Sequence, residues 1–128
     1  GPLRQYRRYG ASRLKLPPGP VEPGRAVFAE LEAGADLARA EVTLRCVRET
    51  VEGSGKHQRI VREQIGLGTV ADRQATTTGL QFTLEAPPGG PGTDLSGRPA
   101  VYWEVFVSDQ AAEFEAFFLV PVYPSAPR

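Results

Sequence analysis

The chain has one thiol, Cys46, and one imidazole, His57, in 128 residues. A zinc site needs several such ligands, so this pair cannot close one. Cys46 sits in an alternating apolar run with Val42 and Leu44 and reads as a small core residue. A reactive thiolate would need His57 beside it as a base. Glu113 and Glu115 are a second candidate pair, because glycoside hydrolysis uses two carboxylates in unlike surroundings. Their spacing on an alternating strand points both at solvent, which is the pattern of a polar sheet face. Gly53-Ser54-Gly55-Lys56 resembles the end of a phosphate-binding loop. Thr50, however, stands where that motif wants glycine, and His57 where it wants Ser or Thr. Asp94 and Asp109 lie in loops that would have to meet to offer calcium its clustered oxygens. There is no Gly-x-Ser-x-Gly elbow for a hydrolase nucleophile. The expectation is a chain with no catalytic residues, no metal and no cofactor: not an enzyme.

The elements that would position these groups are short strands. Residues 39–49 alternate cleanly, with Val42, Leu44 and Cys46 on one face and Thr43 and Arg45 on the other. A period of two with one apolar face marks a half-buried antiparallel strand. Residues 100–107 set Val101, Trp103, Val105 and Val107 on one face and Tyr102, Glu104 and Phe106 on the other. Residues 113–122 turn Phe114, Ala116, Phe118, Val120 and Val122 inward. Further strands are expected at 12–16, 25–31, 57–65 and 79–84, the 57–65 segment alternating poorly. Ala86–Gly97 holds three prolines and four glycines and reads as a long loop. Fourteen glycines and twelve prolines fall between the apolar runs, as punctuation. About seven short strands without an amphipathic helix predict an all-β fold, a single antiparallel β-sandwich of the immunoglobulin or arrestin type.

Charge narrows the partners. Fifteen basic residues balance fifteen acidic ones, which argues against a general nucleic-acid binder. The basic residues are unevenly spread: Arg4, Arg7, Arg8, Arg13 and Lys15 precede every acidic residue, interleaved with Tyr6 and Tyr9, and the remainder is net acidic. Arg4, Tyr6, Arg7, Arg8 and Tyr9 therefore read as a juxtamembrane segment able to contact anionic lipid from the cytoplasmic side. A lone cysteine suits a reducing compartment. No apolar stretch approaches the ~20 residues of a membrane helix, and residues 1–30 are not expected to act as a signal peptide. Gly1-Pro2 has the form of a scar left by removal of a purification tag, so the expectation is that the chain is an excised fragment. The expected division is 1–3 tag remnant and start, 4–11 basic segment, 12–123 sandwich and 124–128 tail. Phe106, Phe117 and Leu119 fall opposite the core face. Exposed, they would form a patch for a protein partner; the reading favours instead a face covered by other parts of the fold.

Ala100-Val-Tyr-Trp-Glu-Val-Phe-Val107 and Phe114-Glu-Ala-Phe-Phe-Leu-Val-Pro-Val-Tyr123 resemble the end of a family of uncharacterised bacterial integral membrane proteins. Val42-Thr-Leu-Arg-Cys46 and Phe82-Thr-Leu-Glu-Ala-Pro-Pro88 resemble two of its inner segments, so the likeness spans most of 12–123. In that family a pair of N-terminal spans precedes a soluble β domain. Pro23-Gly24 before a strand, and a proline-rich loop before an aromatic one, are also similar to arrestin-type sandwiches. The first likeness implies a membrane-tethered domain; the second implies protein partners by fold analogy alone. The expected function is a non-catalytic binding or scaffolding domain of a bacterial membrane protein, on the cytoplasmic side. The alternative is a secreted or periplasmic adhesion or carbohydrate-binding sandwich, with Trp103 and the tyrosines stacked on sugars.

Overall fold

The computed structural model describes residues 12–124. Eight strands occur there: β1 (Arg13–Lys15), β2 (Val27–Glu32), β3 (Glu41–Glu52), β4 (Arg59–Leu67), β5 (Thr69–Ala75), β6 (Gly79–Glu85), β7 (Ala100–Asp109) and β8 (Phe114–Val120). They form two antiparallel four-stranded sheets, in the orders β1-β2-β6-β5 and β4-β3-β7-β8. This is the strand order of an immunoglobulin-type sandwich whose second sheet carries one extra edge strand. The only helical turn among the described residues is a 3-10 turn at Gly55–His57.

The alternation read from the sequence is what builds the core. Leu44 and Cys46 of β3 with Trp103, Val105 and Val107 of β7 form the inner face of one sheet, and Ala29 and Leu31 of β2 with Leu80, Phe82 and Leu84 of β6 form that of the other, all in one buried cluster. All are buried to within a few per cent. Two inner faces contribute side chains to one core, as packed sheets do. The strand absent from the sequence reading is β5. Only Val70 in it is even half-buried, so no periodic apolar signal marks it. β4 is exposed along nearly its whole length, which explains its poor alternation.

The two sheets are joined at Gly68, between β4 and β5. Its amide donates to the Leu44 carbonyl at 2.8 Å. A Cβ there would lie 2.4 Å from Leu44 Cδ2 and 2.8 Å from the Glu85 carbonyl oxygen. Only glycine lets the chain pass so close as it leaves one sheet for the other.

On the opposite side the chain also changes sheets. After β1 it runs through Pro17–Pro20, and Val21 then pairs in parallel with Val122, beyond the end of β8. The long loop predicted at 86–97 is fastened to the sandwich rather than loose. Trp103 Nε1 donates to the Pro91 carbonyl at 2.7 Å. Thr93 accepts from the Val122 amide through its hydroxyl and donates its own amide to the Val122 carbonyl.

Candidate functional site

The concentrated chemistry lies on the outer face of the β4-β3-β7-β8 sheet. Cross-strand register sets Leu119, Glu104, Arg45 and Leu67 in one row across the four strands. Phe117 and Phe106 lie side by side in the next row, and Val47 faces Tyr102 on the other side. Glu104 points away from the core, yet its side chain is only 5% exposed. Its neighbours cover it. Arg45 Nε donates to Glu104 Oε1 at 2.7 Å, and Arg62 Nη2 donates to both carboxylate oxygens at 3.0 and 3.2 Å. Arg62 Nε donates to the Tyr102 hydroxyl at 2.9 Å, and that hydroxyl donates to Glu49 Oε2 at 2.5 Å.

Aromatic rings brace the same groups. The Arg45 guanidinium carbon sits 4.5 Å from the Phe106 ring centre and 5.7 Å from that of Phe117. Arg62 lies 5.8 Å from the Tyr102 ring and 5.9 Å from Phe117. The Phe106 and Phe117 rings are 5.1 Å apart and tilted by 31°. Cations held over ring faces and a carboxylate shared by two arginines fix long side chains that would otherwise be free to rotate. Burial raises the Tyr102 hydroxyl above its ordinary pKa, and its bond to Glu49 raises it further. Burial pulls Arg62 down, but Tyr102, Glu104 and Glu49 more than offset it, and Arg62 is held above its ordinary value.

The structure corrects the expectation that the Phe106, Phe117, Leu119 face is covered. Phe106 is half-buried by its neighbours within the sheet, but Phe117 is 36% and Leu119 54% exposed. No described element lies over them, because β8 is the edge strand and the sandwich has only two layers. At the far end of the face, Val51 and Ile60 are exposed beside Glu49, Arg98, Pro99 and Ala100, around a shallow groove of about 430 Å³.

The other sequence candidates are dispersed. Cys46 is fully buried in the core, where desolvation raises its thiol; His57 is exposed in the β3–β4 turn. Gly53-Ser54-Gly55-Lys56 forms that same turn, with no helix of useful length behind it. Asp94 accepts from Ser96 and Gly97 in the loop before β7. Asp109, buried at the other end of β7, caps the turn by accepting from the Ala112 amide. The two aspartates do not meet, and no group of three or more potential metal ligands occurs among the described residues. Glu113 lies in the turn before β8 rather than on it, with φ at 52°, and is exposed like Glu115. Trp103 is fully buried and so presents no ring to a sugar. Arg4, Tyr6, Arg7, Arg8 and Tyr9 lie outside the described residues.

Sequence reasoning placed Arg45, Glu104, Tyr102 and Phe106 on the outer face but missed their union with Arg62 and Glu49. The only available signal was the shared outward parity on residues 43–45 and 102–106. Nothing in the poorly alternating 57–65 segment indicated that Arg62 would reach across to β7.

A scan of protein-family models finds none that matches the chain, and a search of curated proteins finds no match either. Among the described residues no helix is long and apolar enough to cross a membrane.

Proposed function

We propose that the chain is a non-catalytic binding or scaffolding domain of a bacterial membrane protein, which meets a protein partner through the outer face of β4-β3-β7-β8. The observation that carries this reading is the braced network around Glu104, flanked by exposed Phe117 and Leu119. Arginine and aromatic side chains supply most of the strong anchors in protein interfaces. Side chains already held in place lose little entropy when a partner arrives. The carboxylates of the network are engaged by arginines, so they serve as structural counter-ions rather than as a free acid–base pair. The membrane part of the reading rests on the family resemblance and on the basic, tyrosine-containing segment 4–9.

Two experiments test the two parts. A photo-crosslinking residue at position 119 of the native membrane-bound protein should label a discrete partner, whereas one at Phe28, exposed on the other sheet, should not. Equal labelling from both positions sinks the partner face. Vesicles of phosphatidylcholine with phosphatidylserine should sediment the chain in a salt-sensitive way, and the Arg4→Ala, Arg7→Ala, Arg8→Ala triple variant should stay in solution. Indifference to anionic lipid removes the membrane-surface contact.

A further inference from the structure

The four edges of the sandwich are not treated alike. An edge strand offers unpaired backbone groups to any other strand, and folds usually blunt it with shortness, charge, proline or a bulge. β1 is three residues long and carries Arg13 and Lys15. β4 is bulged, with Ile65 the extra residue where its register against β3 shifts, and it carries Arg59, Arg62 and Glu63. β5 is bulged between Ala71 and Gln74, with Asp72 at φ 53°. β8 pairs with β7 over seven residues without a register shift. Its sequence, Phe-Glu-Ala-Phe-Phe-Leu-Val, contains no basic residue and no proline.

The open side of β8 can be read from the bonds beyond its end. The Val21 amide donates to the Pro121 carbonyl at 2.8 Å, and the Tyr123 amide donates to the Val21 carbonyl at 2.9 Å. Val122 instead bonds Thr93, on the β7 side. Backbone groups alternate from side to side along a strand. The N–H and C=O groups of Glu115, Phe117 and Leu119 therefore point to the outside, where no described strand lies. The side chains of these same residues are exposed on the outer face.

We infer that this edge is filled by β8 of a second copy of the chain, running antiparallel about a two-fold axis through Phe117. The segment is complementary to itself in that arrangement. Phe117 falls opposite Phe117 of the copy, and Glu115 falls opposite Leu119, so the only charge on the open stretch never meets its like. Glu115, Phe117 and Leu119 of both chains then exchange about six interchain hydrogen bonds. The two four-stranded sheets become one continuous sheet, and the Phe106–Phe117 pair of each chain is extended across the axis. The Val21 bridge closes the edge beyond Leu119, so the pairing has one natural stopping point. A contact of this length lies at the small end of specific interfaces, which makes the dimer weak and reversible. The inference concerns the strand edge, so its failure leaves the partner face proposed above standing.

Sedimentation equilibrium of the full chain should show its mass doubling reversibly with concentration. Phe117→Lys and Leu119→Lys should stay monomeric at the same concentrations while keeping wild-type near-ultraviolet circular dichroism. Phe117→Cys should form a disulfide dimer under mild oxidation, because directly opposed residues lie with Cβ atoms about 5 Å apart. Glu115→Cys and Leu119→Cys should cross-link to each other when mixed and far less when alone, which reads the register. A chain that stays monomeric overturns the inference. Hydrogen exchange then assigns the edge: protected amides at 115, 117 and 119 mean another part of the same chain covers it, and unprotected ones mean it is open. Lysine variants that dimerise like wild type, or a Phe28→Cys control that cross-links as readily as Phe117→Cys, overturn it equally.

Discussion

The two outer faces of the sandwich follow the same polar-outward alternation and reach opposite results. On β1-β2-β6-β5, Glu32 is shared by Lys15 at 2.7 Å and Arg13 at 3.3 Å, with all three side chains at least 40% exposed. Gln81 reaches Glu30, and Phe28 stands alone at 52% exposure. Such pairs are screened by water and contribute little. On β4-β3-β7-β8, Glu104 is likewise shared by two basic residues, yet it is almost fully covered. The difference is what flanks each carboxylate. Both lie on inner strands, but Glu104 sits mid-strand, between the long arginines of β3 and β4 and the rings on β7 and β8. Glu32 ends β2, with Gly79 of β6 on one side and the three-residue β1 on the other. A carboxylate at the centre of a four-stranded face can be buried by its lateral neighbours without any third layer.

Breaking that centre should have the largest effect. Glu104→Ala leaves Arg45 and Arg62 without their shared acceptor and should cost about 2–3 kcal/mol in urea unfolding. This is below the full cost of breaking a buried pair, because both arginines retain access to water. A loss no greater than that of Glu32→Ala would erase the contrast between the faces. Gly68→Ala, at the crossing between the sheets, should cost about 2 kcal/mol by forcing Leu44 and the Glu85 carbonyl apart. Wild-type stability there would mean that the crossing has slack.

Tyr102→Phe should cost about 1 kcal/mol by removing the link between Arg62 and Glu49. It also carries a pH signature. The folded pKa of Tyr102 is raised, so its contribution is complete below the unfolded value near 10 and is lost as pH rises through the folded value. Wild type should lose stability over that alkaline window more steeply than the Phe variant, and parallel curves would contradict the network. Glu32→Ala should lower the denaturation midpoint least of these variants at neutral pH. The Glu32 carboxyl is held below its ordinary pKa, first by its hydrogen bond to Lys15. Its small contribution is therefore present above the unfolded value and fades as pH falls through the folded one.

The strands that were legible in the sequence are those with one face in the core. The periods at 39–49, 79–84, 100–107 and 113–122 correspond to β3, β6, β7 and β8, because burial on one side imposes alternation. β5 and the pairing of β4 were not legible, since both are edge strands with water on each face. The Phe106, Phe117, Leu119 patch was legible as a set, but its exposure was not. Parity assigns a side chain to a face and says nothing of what covers that face.

The sequence by itself therefore determined an all-β sandwich, the inward set around Trp103 and Cys46, and the scarcity of metal-binding side chains. It did so because alternation, turn residues and residue counts are local properties. Only the tertiary structure decided that β4 continues through Gly68 into the other sheet, that Glu104 is buried on an outward face, and that no described strand pairs along the outer side of β8. Each of these depends on which strands become neighbours. That order comes from closing one core between two sheets, and no stretch of sequence carries it alone.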